Sequence, residues 1–169
     1  MSFDIFFQPC RFGTEAVEVQ DESTGQTRKI LPNEPLTAAE LAAVRNVLSN
    51  ANASAPDNYG CYQVRFTNGG SAEIYGSNLE KGCMVALWGL TAETLKFLFD
   101  LLKAGNWTMI PPTRETRAIA SSVNAFKRIP EGFPPTAVCE SPAELGIILN
   151  DGFDIWEKYR DQIVGTDRR

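Results

Sequence analysis

The stretch Cys61-Tyr62-Gln63-Val64-Arg65-Phe66-Thr67-Asn68-Gly69-Gly70-Ser71-Ala72-Glu73-Ile74-Tyr75 decides the fold. Tyr62, Val64 and Phe66 alternate with Gln63 and Arg65, and Ala72 and Ile74 alternate with Glu73 and Tyr75, the period of two that a half-buried strand requires. Between the arms, Asn68-Gly69 supplies residues that tolerate positive φ in a primed hairpin turn. These glycines belong to the turn and not to a phosphate loop, because no G-x-x-x-x-G-K-[ST] pattern follows and the context is strand, turn, strand. Downstream, Cys83-Met84-Val85-Ala86-Leu87-Trp88 is apolar without alternation. That pattern predicts a strand covered on both faces, at or near the centre of a sheet.

Helix starts flank this region on both sides. Thr37 and Glu40 form a capping box with Leu36 and Leu41 in the hydrophobic staple positions, and Leu41, Val44 and Leu48 line one face of the helix that follows. Thr91 caps a second helix, with Leu90 and Leu95 as its staple. Its stripe of Leu95, Leu98, Phe99 and Leu102, widened by Phe97 and Leu101, makes it the expected main core helix, and Gly105 ends it. The shared L-T-A-x-x-L at Leu36 and Leu90 fits either a duplicated unit or the recurrence of good helix-start chemistry.

The remaining elements are shorter. Phe3, Ile5 and Phe7 alternate with Asp4 and Gln8 in an N-terminal strand that carries Phe6 on its polar face. Ala16–Val19 and Arg28–Leu31 flank Asp21–Gly25 as an exposed hairpin. Trp107–Ile110 is a strand stopped by Pro111-Pro112, followed by a strand at Ala118–Ala120, a helical turn at Val123–Ile129 and a strand at Thr136–Cys139. Ser141-Pro142-Ala143-Glu144 starts a helix through Leu149, and Asp151-Gly152 is expected to separate it from a last helix ending at Val164. The fold expected is a single α+β domain over residues 1–164, a mostly antiparallel sheet with helices packed on it, followed by a flexible tail at 165–169.

Composition narrows the chemistry. The chain of 169 residues has no histidine and a net charge of -5. Histidine is the only side chain whose ordinary pKa lies near neutrality, so the usual general base, proton shuttle and metal ligand are lost together. The dispersed basic residues and acidic balance provide no footprint for phosphates, which disfavours nucleic acid as a partner. No run approaches the roughly 20 apolar residues of a membrane helix, and Met1–Gln8 lacks the basic flank of a signal peptide, so a cytoplasmic protein is expected. Cys10, Cys61, Cys83 and Cys139 show no C-x-x-C spacing, which argues against metal and for reduced, buried thiols. A bridge between Cys61 and Cys83 on neighbouring strands is the one exception the spacing suggests.

Two function classes follow. In the first, the acidic residues Asp151, Asp154, Glu157 and Asp161, with Trp156 and Tyr159 at their edge, form a surface that docks a basic protein partner and speeds encounter electrostatically. Asp154, Glu157 and Asp161 follow the three-then-four spacing of one helix face, which is also the pattern of an ordinary wet face. Tyr59, Tyr62, Tyr75 and Trp107 are further anchor candidates, since tyrosine and tryptophan are favoured at interface centres, although most aromatics serve the core. In the second class, an enzyme uses carboxylate or thiol chemistry, with Cys10 beside Arg11 as nucleophile. No catalytic, cofactor-binding or metal site is expected.

Three stretches, Met1–Gln8 (MSFDIFFQ), Cys83–Leu95 (CMVALWGLTAETL) and Trp156–Gly165 (WEKYRDQIVG), resemble small bacterial proteins. In size, acidity and absence of a catalytic motif the chain is similar to the immunity proteins of bacterial toxin systems. The resemblance implies a cytosolic, non-catalytic protein that neutralises a co-produced toxin by occluding its active site, with a basic toxin domain as partner.

Overall fold

The computed structural model describes residues 2–21, 23–112, 118–129 and 136–166, and the side chains at 151, 155–157 and 159–166 lie outside the described residues. The elements run β1 (Phe3–Pro9), β2 (Val17–Gln20), β3 (Thr27–Ile30), α1 (Ala38–Asn50), β4 (Cys61–Arg65), β5 (Ser71–Tyr75), β6 (Cys83–Trp88), α2 (Ala92–Ala104), β7 (Trp107–Ile110), β8 (Ala118–Ala120), α3 (Val123–Phe126), β9 (Thr136–Val138) and α4 (Pro142–Thr166). Seven strands form one sheet in the order β4-β5-β6-β1-β7-β8-β9, while β2 and β3 form a separate ribbon. Every pairing is antiparallel except β8 with β9, so the molecule is the α+β domain with a mostly antiparallel sheet that the alternation predicts. No helix of the described residues is long and apolar enough to cross a membrane.

Cross-strand register assigns the two faces. Phe3, Ile5 and Phe7 lie opposite Leu87, Val85 and Cys83, and Phe7 also lies opposite Met109, so these side chains share one face. That face is the core. Leu98, Leu101 and Leu102 of α2 are fully buried in it beside Val44 and Leu48 of α1 and Leu145, Leu149 and Phe153 of α4. The α2 stripe is therefore the central helix of a helical layer over one side of the sheet. Its N-terminus is fixed twice: Thr91 and Thr94 cap each other reciprocally, and Glu93 accepts from the Thr67 hydroxyl and from the Asn68 N–H of the β4–β5 turn.

The α1 cap carries an added ion pair. Glu40 completes the box with Thr37 and also accepts from both terminal guanidinium nitrogens of Arg11, at 2.9 and 2.8 Å. Burial pushes the Glu40 carboxyl up, but hydrogen bonds from Arg11 and Thr37 outweigh it and hold the group below its ordinary range. A depressed native pKa contributes stability above the unfolded value of about 4.3, and this contribution disappears as pH falls through the lower native pKa. Glu40→Gln is accordingly expected to lower unfolding free energy by about 1–2 kcal/mol at neutral pH and by progressively less as pH falls below the unfolded value, with urea denaturation at pH 7 and pH 3 as the two points compared. An equal loss at both would refute the coupling.

Two local expectations are corrected. α4 does not break at Asp151-Gly152 but continues to Thr166, through Gly165. Gly152 and Phe153 are buried, and the Phe153 ring meets Phe3 edge-on at 5.4 Å. Burying a phenylalanine is worth roughly 1.5–3 kcal/mol, which exceeds the cost of about 1 kcal/mol for glycine inside a helix. The Cys61–Cys83 bridge is also absent, and all four thiols are free and buried. Cys61 opposes Tyr75, which opposes Met84, so Cys61 and Met84 share a face and the adjacent Cys83 points to the other.

The β4 edge is closed by the preceding loop. Ser54 N–H donates to Gln63 O at 2.9 Å, and the Ser54 hydroxyl accepts from Gln63 N–H at 3.0 Å. A guarded edge cannot template pairing with another chain.

Candidate functional site: the open face of the sheet

The face opposite the helices is composed of residues that alternation would make polar. Register aligns Cys61, Tyr75, Met84, Phe6 and Ile110 in one row across β4, β5, β6, β1 and β7. The next row is Gln63, Glu73, Ala86 and Asp4, and the row beyond it holds Arg65, Ser71 and Trp88. Over β8 this side is covered by α3, where Ala125 packs with Ala120 and Cys10 and Ile129 borders them, and on β7 the Cys10 thiol lies against Thr108. Over β4, β5, β6 and β1 no helix among the described residues covers this side. Phe6 is 53% exposed and Tyr75 38%, while Met84, Trp88 and Ile110 are half-buried.

The unbroken apolar run of β6 therefore has a different cause from the one its sequence suggests. Cys83, Val85 and Leu87 enter the core, whereas Met84 and Trp88 lie half-buried, flanking buried Ala86, on a stretch of the other face that no helix among the described residues covers. A monomer gains little from tyrosine, phenylalanine, methionine and tryptophan held together at a wet surface, and these are types enriched at protein interfaces.

Polar groups frame the patch. The Tyr75 hydroxyl donates to the Glu73 carboxylate, and that bond raises the phenol pKa above its ordinary value. Gln63, Arg65, Ser71, Glu73 and Trp88 border a shallow depression of about 360 Å³. Tyr59, 88% exposed, projects from the turn before β4, where Asp57 accepts from the N–H groups of Tyr59 and Cys61.

The acidic helix residues are located elsewhere. Asp154 is exposed on α4, in the helical layer on the far side of the sheet. Asp151, Glu157 and Asp161 follow on the same helix with Trp156 and Tyr159, but their side chains lie outside the described residues. Two turns before Asp154, Ile147 is 76% exposed beside a groove of about 510 Å³ that Leu90, Leu95 and Gly146 help to line. Of the other aromatic candidates, Tyr62 is half-buried and Trp107 fully buried.

Cys10 is poorly placed for nucleophilic chemistry. It is 1% exposed, and its sulfur lies 2.8 Å from the Thr108 hydroxyl. Burial raises its pKa, and the opposing pull of Thr108, Arg128 and Arg11 does not reverse this. Burial likewise pushes the Cys61, Cys83 and Cys139 thiols up. Among the described residues, no group of three or more cysteine, aspartate or glutamate side chains is placed to hold a metal ion.

No protein-family model, curated protein or solved structure matches this chain.

Proposed function

We propose that this chain is a non-catalytic binding protein of the immunity type, which neutralises a bacterial toxin by covering its active site. The observation that carries this reading is the row Tyr75–Met84–Phe6–Ile110 on a sheet face left open to solvent. It presents a rigid aromatic surface on paired strands, so little side-chain or backbone entropy is lost when a partner docks. Asp4 and Glu73 lie in the adjacent row and the chain as a whole is acidic, which favours a basic partner and steers its approach. Inhibition by occlusion needs no turnover, in keeping with thiols whose burial disfavours the reactive form.

Affinity capture from a lysate of the source organism, followed by activity assays on the captured protein, tests the reading. One basic protein bound at near-equal stoichiometry, with its toxic activity abolished, is the expected result. The doubly truncated Phe6→Thr/Tyr75→Thr variant keeps strand-compatible residues and should bind at least about 100-fold more weakly, because central aromatic anchors contribute 2 kcal/mol or more each. Asp154→Lys should bind as the parent does. The opposite pattern, with Asp154→Lys impaired and the double variant intact, would move the site to the Asp151–Asp161 face of α4. A captured partner whose activity survives binding would end the immunity reading.

A further inference from the structure

The β2–β3 ribbon stands apart from the rest of the fold. Every residue of both strands is exposed, and Val17, Val19 and Ile30 are 42%, 38% and 41% accessible. Val17 lies opposite Ile30 and Val19 opposite Arg28, which places the three apolar side chains on one face. Glu18 and Lys29 pair on the other face at 3.9 Å. A two-stranded ribbon is marginal in water until a third strand or a packing surface joins it.

The ladder shows which backbone groups are free to recruit one. Asp21 N–H donates to Gln26 O at 2.8 Å, so alternation makes Val19:Arg28 and Val17:Ile30 the hydrogen-bonded pairs. The N–H and C=O groups of Glu18 and Gln20 then point outward along β2. A second copy pairing there about a twofold axis must set outward-facing residues against each other. Glu18 against Glu18 of the second copy would oppose two carboxylates, and a register centred on Gln20 would run into the turn. Glu18 against Gln20 of the second copy opposes a carboxylate to an amide and brings Val19 against its own copy as the close, non-hydrogen-bonded pair. On β3, registers centred on its two middle residues oppose Arg28 to Arg28 or Lys29 to Lys29.

We propose that two copies of this chain associate edge to edge through β2 in that register, forming a continuous β3-β2-β2-β3 sheet. Each Glu18 and Gln20 exchanges two backbone hydrogen bonds across the axis, and the valines and isoleucines of both copies form one apolar face. The proposal is independent of the inhibitory reading, because no residue of the ribbon belongs to the Tyr75–Met84–Phe6–Ile110 row.

Light scattering and sedimentation on the intact protein, with three variants, test it. The parent chain should reach twice the monomer mass as concentration rises. Glu18→Pro removes an outward N–H and no backbone hydrogen bond within the ribbon, so it should weaken dimerisation at least about tenfold while the melting temperature, measured at a concentration where the parent is monomeric, stays unchanged. Glu18→Gln should dimerise as the parent does. Val19→Cys adds an exposed thiol to a chain whose own four are buried. At the non-hydrogen-bonded position its Cα should lie about 4.5 Å from its copy, within disulfide range, so mild oxidation should give a covalent dimer. A parent chain that stays monomeric overturns the proposal. So does a dimer that survives Glu18→Pro while Val19→Cys fails to cross-link.

Discussion

Gly82→Ala is expected to cost the fold about 3–5 kcal/mol, a large part of the margin of a domain this size. Gly82 precedes β6 at φ +116, a region that side-chain-bearing residues rarely enter, and a Cβ there would lie 2.1 Å from the Phe7 carbonyl oxygen. The obstacle is backbone, so no rotamer relieves it. Either β1 or the start of β6 must shift, and Phe7 pairs with both Cys83 and Met109. Backbone strain and overpacking each contribute about 1–3 kcal/mol. Gly69→Ala is the control: its φ is +88, but nothing lies within 4 Å of the added methyl group, so about 1–2 kcal/mol is expected from conformation alone. Chemical denaturation of both variants decides the matter, and equal losses would mean that the close approach of β1 and β6 is easily relaxed.

Phe153→Ala is expected to lower stability by about 3–5 kcal/mol, the usual range for deleting a buried phenylalanine. Phe153 is 5% exposed and packs edge-on against Phe3 on the central strand. Leu145 and Leu149 hold the first half of α4, so the truncation should release chiefly the turns that follow Gly152. Hydrogen exchange in the native state should therefore accelerate beyond Gly152 more than in the turns around Leu145. Uniform acceleration along the helix, or a loss below about 1 kcal/mol, would refute this division. The release would also disturb the face on which Asp154 stands.

The sequence revealed most where one local rule governed. Thr37 and Glu40 and Thr91 occur where their cap chemistry placed them, and Asn68-Gly69 does lie in the hairpin turn, but not as the primed turn expected: Phe66 and Gly70 close a three-residue loop in which Gly69 alone has positive φ. It failed where a long-range contact outweighed a local preference, as at Gly152, whose flexibility is overridden by the packing of Phe153 on Phe3. The open face was visible as an anomaly: Phe6 on the polar side of its strand, and Met84 and Trp88 in a run without alternation. Period alone cannot distinguish a second covering layer from an apolar face left bare. Only the strand order, which brings Phe6 beside Met84 and Met84 beside Tyr75, gathers these scattered residues into one surface. The acidic spacing along α4 was equally legible, but helical periodicity gives the same pattern for a docking face and for ordinary solvation.

The central position of β1 also shapes how the molecule is made. β1 leaves the ribosome well before its neighbours, yet its partners are Cys83–Leu87 and Trp107–Ile110. At roughly 5–20 residues per second, the nascent chain carries Phe3, Ile5 and Phe7 without a mate for about 5–20 s. During that interval three large apolar side chains on a strand-forming segment are open to the wrong partner. The newborn chain is thus at its most vulnerable before β7 emerges, and chaperones that shield emerging apolar segments would matter more to its yield than to its final stability.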